Sequence, residues 1–291
     1  IHVPVEKQEE VKRESTLTTF ERLSGIKEVR ERFDSFISSP KHYFYRNKME
    51  YSFSCIEHDL ETNEELDDAF ALGFKRRGTW WKVENLNKPS GLFDEQWETI
   101  LPEFRDLLKS FGLPAWHPPQ KKGFFRHIVV RKSFLNDQLL INLVTSNEGN
   151  EHFDIQAFAD FIQALHPGRI AGLWHTINDN VADRAKIENG HSTLIFGQAV
   201  IEEELAGLRF QISMESFFQT NPACAELLYD KALDYLFEDP FEPGDIAMDL
   251  FCGTGTIGQL MAKRNSAVRI IGVDIVEKAI EDARQNAAKN G

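Results

Sequence analysis

The feature that most constrains this chain is a glycine-rich stretch at residues 246–258, which follows an apolar run and precedes a helical pattern. Gly253, Gly255 and Gly258 have the spacing G-x-G-x-x-G. The first two glycines allow a sharp turn close to a ligand, and the third allows close packing of the helix on the strand. A second apolar run ends at Asp274, at about the 20-residue spacing typical of a ribose-binding acid. The pattern therefore predicts parallel strands with a nucleotide-like cofactor at their carboxyl ends.

Asp249 distinguishes between the two cofactors that use this architecture, NAD and S-adenosylmethionine. It lies at the end of the first strand, four residues before Gly253. A carboxylate there would repel the pyrophosphate of NAD, whereas S-adenosylmethionine carries a sulfonium and an ammonium group. The acid therefore favours S-adenosylmethionine, with Asp274 on the ribose hydroxyls. The alternative is an ordinary strand–helix turn whose glycine pattern arose by chance.

The composition is typical of a globular protein, with 42% hydrophobic and 27% charged residues in a chain of 291. The formal net charge of −13 argues against a general polyanion-binding surface, so a nucleic acid would need a local basic patch. Cys55, Cys224 and Cys252 are scattered and predict neither a disulfide framework nor a metal site. Because we find no secretory signal and no apolar run of the ~20 residues that span a bilayer, we expect a cytoplasmic protein without membrane association.

The periodicities before residue 205 predict an α+β region with an antiparallel sheet, separate from the parallel unit that follows. Helical spacing covers residues 6–37, 96–112 and 153–165. Strand patterns cover residues 43–56, 70–84, 121–132, 139–145, 170–178, 193–203 and the first part of 207–221. Asn221 is expected to cap a helix that begins at Pro222. We therefore predict two domains, residues 1–205 and residues 206–291.

Basic residues occur beside aromatic residues in two stretches, 75–82 and 121–132. The candidate RNA-binding cations, including two from the first predicted strand, are Arg46, Lys48, Lys75, Arg76, Arg77, Lys121, Lys122, Arg126 and Arg131. Such a composition suits RNA, because cations neutralise phosphates while aromatic rings stack on bases. We predict that the two stretches face a common RNA groove. The alternative for the first is a solvated hairpin tip in which Trp80 and Trp81 are packing residues.

Several segments together resemble the RNA (uracil-5-)-methyltransferase family, which contains RlmD, RlmC and TrmA, and they are most similar to its RlmD-like branch. The matching segments are residues 45–53, 72–74, 123–131, 216–221, 249–255 and 286–291. Phe-Gln-x-Asn at 218–221 combined with Asp-x-x-Cys-Gly-x-Gly at 249–255 is much more specific than either motif alone. The resemblance extends over essentially the whole chain.

The resemblance implies a central α+β RNA-contacting domain in residues 1–205 and the start of a Rossmann-like class I methyltransferase domain in residues 206–291. It implies methyl transfer from S-adenosylmethionine to C5 of a uridine in RNA, after a cysteine adds to C6 of the flipped-out base. The RlmD-like branch indicates 23S ribosomal RNA, and tRNA is the alternative. We expect a monomer that does not bind DNA. The implied cofactor-binding residues are Gln219, Asp249, Phe251, Gly253, Gly255 and Asp274.

The chain also departs from the family pattern, and the resemblance marks it as truncated at both ends. The family's nucleophilic cysteine and proton-abstracting glutamate lie beyond the position of Gly291, so we expect no catalytic residue here, and neither Cys224 nor Cys252 matches the nucleophile. Many family members hold a 4Fe-4S cluster, but residues 88–91, where one ligand should fall, contain no cysteine. Two other hypotheses stay open: a non-catalytic remnant that binds S-adenosylmethionine or RNA, and a Rossmann oxidoreductase.

Overall fold

The computed structural model describes residues 3–180, 191–242 and 244–291. Within these residues the helices are α1 (Val5–Ser24), α2 (Glu95–Thr99), α3 (Leu101–Ser110), α4 (Ile155–Leu165), α5 (Pro222–Leu236), α6 (Thr256–Arg264) and α7 (Glu277–Asn290). The strands are β1 (Lys48–Ser54), β2 (Glu57–His58), β3 (Glu65–Leu66), β4 (Ala71–Lys75), β5 (Val83–Asn85), β6 (Phe125–Lys132), β7 (Leu139–Thr145), β8 (Ile170–Ile177), β9 (His191–Gly197), β10 (Val200–Leu205), β11 (Leu208–Ser213), β12 (Ile246–Leu250) and β13 (Arg269–Val273). None of the helices described is both long enough and apolar enough to cross a membrane.

Nine of the described strands form one mixed sheet, in the order β3-β2-β5-β4-β1-β6-β7-β8-β9. Most neighbouring strands are antiparallel, as predicted, and they include the β1–β4 pair and the β6–β7 hairpin. Two pairs are parallel, β2–β5 and β7–β8. The prediction of an antiparallel sheet is wrong at these two pairs. Between β7 and β8 the reason is the crossover helix α4, which returns the chain to the edge where β7 began.

Two predicted elements end at glycines in the left-handed region of backbone space. The helix predicted over residues 6–37 ends as α1 at Ser24, where Gly25 has a φ of 69°. The strand predicted over residues 70–84 is two antiparallel strands, β4 and β5, joined by a turn in which Gly78 has a φ of 87°. Residues with a Cβ seldom adopt this conformation, so Gly25 ends the helix and Gly78 allows the turn between the two strands.

One face of the central sheet packs against α3 and α4. Phe104 of α3 and Phe158 of α4 are fully buried, and their ring centroids lie 5.6 Å apart in an edge-to-face contact. Trp97 of α2 joins them, with its ring centroid 5.8 Å from that of Phe104. Both α3 and α4 carry apolar residues at spacings of three and four, so each helix buries one stripe against the strands.

The opposite face of the same sheet packs against the β10–β11 hairpin and α5. Val129 of β6 and Leu140 of β7 lie in one apolar cluster with Phe210 of β11 and Leu233 of α5. Because successive side chains of a strand point to opposite sides, β6 and β7 are buried on both faces. The central sheet is therefore the middle layer of the described molecule.

The two strands predicted around the glycine-rich turn, β12 and β13, pair in parallel as predicted. Helix α6 connects them, and Leu260 of α6 and Ala247 of β12 pack in the same cluster as the β10–β11 hairpin. That hairpin crosses the predicted boundary between residues 205 and 206. The division into residues 1–205 and 206–291 stays a prediction.

Candidate cofactor and RNA site

The glycine-rich turn joins β12 to α6 and lies between two carboxylates at the carboxyl edge of the small parallel sheet. The Gly258 N–H donates a hydrogen bond to Asp249 Oδ2 at 2.8 Å, and the Gly253 N–H donates to Asp274 Oδ2 at 2.9 Å. The Val276 N–H donates to Asp274 Oδ1, also at 2.9 Å. Each carboxylate therefore holds one part of the turn in place, and the pair frames the surface that a ligand would approach.

The backbone geometry of the glycines of this turn fits their spacing, and the assignment of Gly253 and Gly255 to cofactor binding stays a prediction. A Cβ atom at Gly258 would lie 3.3 Å from Asp249 Oδ2, so a larger residue would press on the hydrogen bond between them. Gly255 has a φ of 77°, and a Cβ there would lie 3.1 Å from the Ala283 Cβ of α7. Gly253 has a φ of 54° and no atom within 4 Å of the place of a Cβ, which leaves its backbone open to a ligand.

The two carboxylates differ in their proton affinity. Burial raises the pKa of Asp249 above its ordinary value, the Gly258 hydrogen bond lowers it, and the charge of Asp274 raises it again. Backbone hydrogen bonds from Val276 and Gly253 lower the pKa of Asp274. Asp274 is therefore a stable anion that can accept hydrogen bonds from a diol. Asp249 is the acid whose charged form would gain most from a nearby cation.

Two apolar side chains lie exposed next to the carboxylates. Phe251 is 88% exposed and has a φ of 67°, a strained conformation of the kind that accumulates in ligand-binding turns. Ile275, directly after Asp274, is 96% exposed. Each is an apolar side chain open to solvent just after the carboxyl end of its strand. The assignment of Phe251 to cofactor binding stays a prediction.

Gln219 lies in the loop between β11 and α5, and Asn47 holds this loop against the start of β1. The Asn47 side-chain amide donates to the Gln219 carbonyl oxygen at 3.0 Å, and the Asn47 N–H donates to the Thr220 carbonyl oxygen at 2.9 Å. The Cys224 N–H donates to Asn221 Oδ1 at 3.1 Å, so Asn221 caps α5 as predicted. The loop therefore has a fixed backbone on both sides of Gln219.

Tyr229 lies on α5, the helix that follows the Gln219 loop. Its side chain is buried, and burial raises the pKa of its hydroxyl. The Gln219 side chain interacts with that hydroxyl, and the charge of Asp249 acts on it as well. Tyr229 was not among the predicted site residues, because an aromatic residue on an amphipathic helix is expected to belong to the hydrophobic core. Tyr229 follows Pro222 by seven residues, or two helical turns, so both lie on the same face of α5. This spacing was the signal that could have placed Tyr229 near the Gln219 loop.

Arg131, predicted to bind RNA, is instead an internal anchor of this loop. The side chain is buried in β6, Nε donates to the Met214 carbonyl oxygen at 3.1 Å, and Nη2 donates to the Ser216 carbonyl oxygen. Burial lowers the pKa of Arg131 to about 10. Since a phosphate cannot reach the guanidinium there, the RNA-binding assignment of Arg131 is corrected to a structural one.

Arg126 needs the same correction. It is fully buried, its Nη1 donates to the Asn178 carbonyl oxygen, and its guanidinium lies 4.0 Å from the centroid of the Trp116 ring. The guanidinium therefore links β6 to the segment after β8 and to the loop before β6. Because it is fully buried, an RNA phosphate cannot reach it. Both arginines were misassigned because their strand is covered on both faces.

The other predicted RNA-binding cations are accessible to different degrees. Arg77, Lys121 and Lys122 are exposed, whereas Arg46, Lys48, Lys75 and Arg76 are half-buried. Acidic side chains lie close to the cations of residues 75–82: Arg76 lies 3.7 Å from Glu84, and Lys82 forms an ion pair with Glu65. A common RNA groove that includes residues 75–82 and 121–132 stays a prediction.

Neither the Cys252 thiol nor a metal-ligand cluster supplies a reactive centre among the residues that the structure describes. Burial raises the pKa of the Cys252 thiol, which disfavours the thiolate that a nucleophile needs. In the same residues, no group of three or more histidine, cysteine or acidic side chains could hold a metal ion.

The sequence is similar to one family model and to several proteins named as RNA methyltransferases. A family model described as a methyltransferase domain matches residues 241–291. The chain is 33% identical to a Clostridium tetani protein named as an uncharacterized RNA methyltransferase, over 99% of this chain and 59% of that protein. It is 35% identical to a Caldanaerobacter subterraneus protein with the same description, over 98% of this chain and 59% of that protein. The chain thus spans about three fifths of the length of these relatives.

A solved structure shares the fold. The crystal structure of Pyrococcus abyssi tRNA (uracil-54, C5)-methyltransferase in complex with S-adenosyl-L-homocysteine aligns with a TM-score of 0.66, at 23% identity, over 99% of this chain and 60% of that chain. The predicted fold class is confirmed by this match: an α+β region followed by a Rossmann-like class I methyltransferase unit.

Proposed function

The chain belongs to a family whose curated members are named RNA methyltransferases, and on that premise we propose that it binds S-adenosylmethionine and serves methyl transfer to RNA. The observation that carries the proposal is the placement of Asp249 and Asp274 on either side of the glycine-rich turn, with both side chains fixed by backbone N–H groups. The Asp249 carboxylate at this edge would repel the pyrophosphate of NAD.

The described residues fit this cofactor in three respects. Asp274 keeps a low pKa and can accept hydrogen bonds from the ribose diol. The open space at Gly253 lets a ligand approach the backbone, and Asp249 lies where a cationic ligand would relieve the cost of its buried charge. The cofactor supplies an electrophilic methyl group when bound. The protein's own contribution at this edge is to orient it and to favour its positive charge.

We further propose that the methyl acceptor is C5 of a uridine. Support comes from the Phe-Gln-x-Asn loop at residues 218–221 and from the fold shared with the Pyrococcus abyssi tRNA (uracil-54, C5)-methyltransferase. In this proposal the Gln219 side chain, on a loop whose backbone is held by Asn47, orients the base or the cofactor beside Asp249. The RlmD-like segments favour 23S ribosomal RNA as the target, and tRNA is the alternative.

Calorimetry with S-adenosylhomocysteine and NAD tests the cofactor. We expect S-adenosylhomocysteine to bind and NAD not to bind at the same concentrations. Asp274→Asn should weaken S-adenosylhomocysteine binding by roughly tenfold or more, since a hydrogen bond to a charged group contributes about 1.5–3 kcal/mol. Tight binding of NAD without binding of S-adenosylhomocysteine would contradict the proposal and support an oxidoreductase.

A deletion strain tests the reaction and its target. We expect 5-methyluridine to disappear from one position of 23S ribosomal RNA, as measured by mass spectrometry of RNA fragments, and to remain in tRNA. Loss from tRNA instead would establish the alternative target. Unchanged 5-methyluridine in both RNAs would favour a non-catalytic remnant.

A further inference from the structure

A cavity of about 400 Å³ lies between α1, residues 36–45 and the first turn of α5. Its volume lies within the ~300–1,000 Å³ range of small-molecule sites. Asn221, which caps α5 directly after the Gln219 loop, lines the cavity. The cavity therefore borders the candidate site, yet it contains none of the cations that the sequence pattern assigned to RNA.

The lining of the cavity combines the groups that bind a nucleotide. Lys12, Lys41 and His42 supply positive or potentially positive charge, and Tyr43 and Tyr45 supply aromatic rings. Among the described lining residues, Glu9 is the single acid. This local excess of basic side chains contrasts with the whole chain, which has 46 acidic residues against 33 lysines and arginines. Charge of this sign concentrated at a concave site attracts anions despite an acidic surface elsewhere.

Hydrogen bonds and an ion pair hold residues 34–45 against the rest of the fold, and residues 36–45 of this segment form one wall of the cavity. Asn221 Nδ2 donates to Ser39 Oγ at 2.9 Å, and Lys231 Nζ lies 2.9 Å from Asp34 Oδ2, so α5 holds the first part of the segment. The Phe44 N–H donates to the Gly91 carbonyl oxygen at 2.8 Å and holds the last part. The segment is therefore preorganised, which lowers the entropy cost of binding a ligand.

The side chains within this frame are presented to solvent. Tyr43 is 53% exposed, and the next residue, Phe44, has a φ of 51°, a strained conformation that sets the direction of the chain between the two tyrosines. Lys12 is exposed on α1, and the Lys41 ammonium lies 4.8 Å from the centroid of the Phe134 ring. An exposed tyrosine flanked by lysines is a stacking platform for a base next to contacts for its phosphates.

We propose that this cavity binds a single-stranded nucleotide of the RNA substrate, next to the base that reaches the Gln219 loop. Lys12 and Lys41 contact phosphates, and Tyr43 stacks on the base. The inference rests on the proposed function, because it takes RNA as the substrate. It assigns RNA contact to α1 and residues 36–45, in addition to the stretches 75–82 and 121–132.

Fluorescence anisotropy with a labelled oligouridine tests the site in the 291-residue chain. Tyr43→Ala should weaken binding roughly tenfold, since stacking contributes about 1–3 kcal/mol per base, and Tyr43→Phe should restore it. The double substitution Lys12→Ala/Lys41→Ala should reduce the slope of log affinity against log salt by about 1.4, at ~0.7 per phosphate contact. Lys109→Ala, at an exposed lysine of α3 away from the cavity, is the matched control and should change neither quantity.

Three outcomes decide the matter. Unchanged affinity and salt slope in both cavity variants, with RNA binding by the unaltered chain, would overturn the cavity proposal alone. No RNA binding by the unaltered chain would overturn the proposed RNA substrate together with the cavity. Competition by uridine monophosphate as strong as that by the oligouridine would identify a mononucleotide site and overturn the RNA assignment. S-adenosylhomocysteine binding, measured in every variant, should stay unchanged, because the substituted residues lie outside the Asp249–Asp274 edge.

Discussion

The central sheet and the small parallel sheet bury their strands to very different extents. Every residue of β7 is buried, because α3 and α4 cover one face and the β10–β11 hairpin and α5 cover the other. In β12 only alternate residues are buried, while Ile246, Met248 and Leu250 are exposed. Parallel strands are ordinarily covered on both faces. The comparison indicates that the central sheet supplies most of the stability, whereas the small sheet carries the candidate cofactor edge on a thinly packed support.

Substitution of a buried aromatic residue gives the largest test of this comparison. Phe104→Ala should lower the free energy of unfolding by about 3–5 kcal/mol, because it opens a cavity between α3 and α4. Met248→Ala, at a side chain that is 52% exposed in β12, should change it by only about 0.5 kcal/mol. Urea unfolding followed by circular dichroism measures both. Equal losses would show that the two sheets contribute alike and would refute the comparison.

Arg131 links the two regions, so its replacement should affect both. Arg131→Met should lower the free energy of unfolding by about 2–3 kcal/mol, because two buried carbonyl oxygens lose their donor. It should also weaken S-adenosylhomocysteine binding, since the anchored segment leads into the Gln219 loop. Arg77→Met, at an exposed arginine, is the matched control for the loss of a positive charge. Lower stability with unchanged affinity would show that the anchor does not position the loop.

A buried histidine of the central sheet, His175, should contribute to the pH dependence of stability. Burial lowers the pKa of His175 from its ordinary value of 6.5 to about 4, and its Nε2 lies 2.9 Å from Thr145 Oγ1. A folded-state pKa below the unfolded value means that the stability present above pH 6.5 is lost as pH falls toward 4. We expect a loss of about 2 kcal/mol between pH 7 and pH 4.5, and a smaller loss in His175→Gln. An identical pH profile for both proteins would rule out this origin.

Asp249→Asn should have a small effect on stability, and its sign should be opposite to that of the substitutions above. Burial raises the pKa of Asp249 in the folded state, so its ionised form lowers stability above the ordinary pKa of 3.8. Asparagine can still accept the Gly258 hydrogen bond, so the variant should gain up to about 1 kcal/mol at pH 7, with no gain below pH 3.8. Affinity for S-adenosylmethionine should fall more than affinity for S-adenosylhomocysteine, which lacks the sulfonium charge. Equal losses would argue against a role for Asp249 in cation binding.

Local patterns were sufficient to predict the unit around the glycine-rich turn. The glycine spacing, the apolar runs and the position of Asp274 lie within about 30 residues, and they specify β12, α6 and β13 with their parallel pairing. The cap of α5 was equally predictable, since Asn221 and Pro222 act on the first turn that follows them. These features depend on residues that are close together in the chain, so they can be predicted from a single sequence.

Features that depend on distant contacts were not predictable in the same way. The β6 strand contains two arginines among apolar residues, and nothing in its sequence tells that both faces are covered. Arg126 and Arg131 were therefore taken for surface cations. The burial of Tyr229 and the parallel pairing of β7 with β8 also depend on how separate segments dock. Burial is a property of the assembled layers, and it decides whether a charge meets solvent or a carbonyl oxygen.

The Arg131 anchor has a consequence for the order in which the chain folds. Its two hydrogen bonds join residues 83 and 85 positions apart, whereas the β6–β7 hairpin closes over a short turn. Closing a long loop costs more chain entropy than closing a hairpin, so the hairpin should form first. The Gln219 loop then acquires its geometry by docking onto a guanidinium that is already in place. Assembly of the candidate site is therefore expected to be a late event in folding, dependent on a strand outside the small parallel sheet.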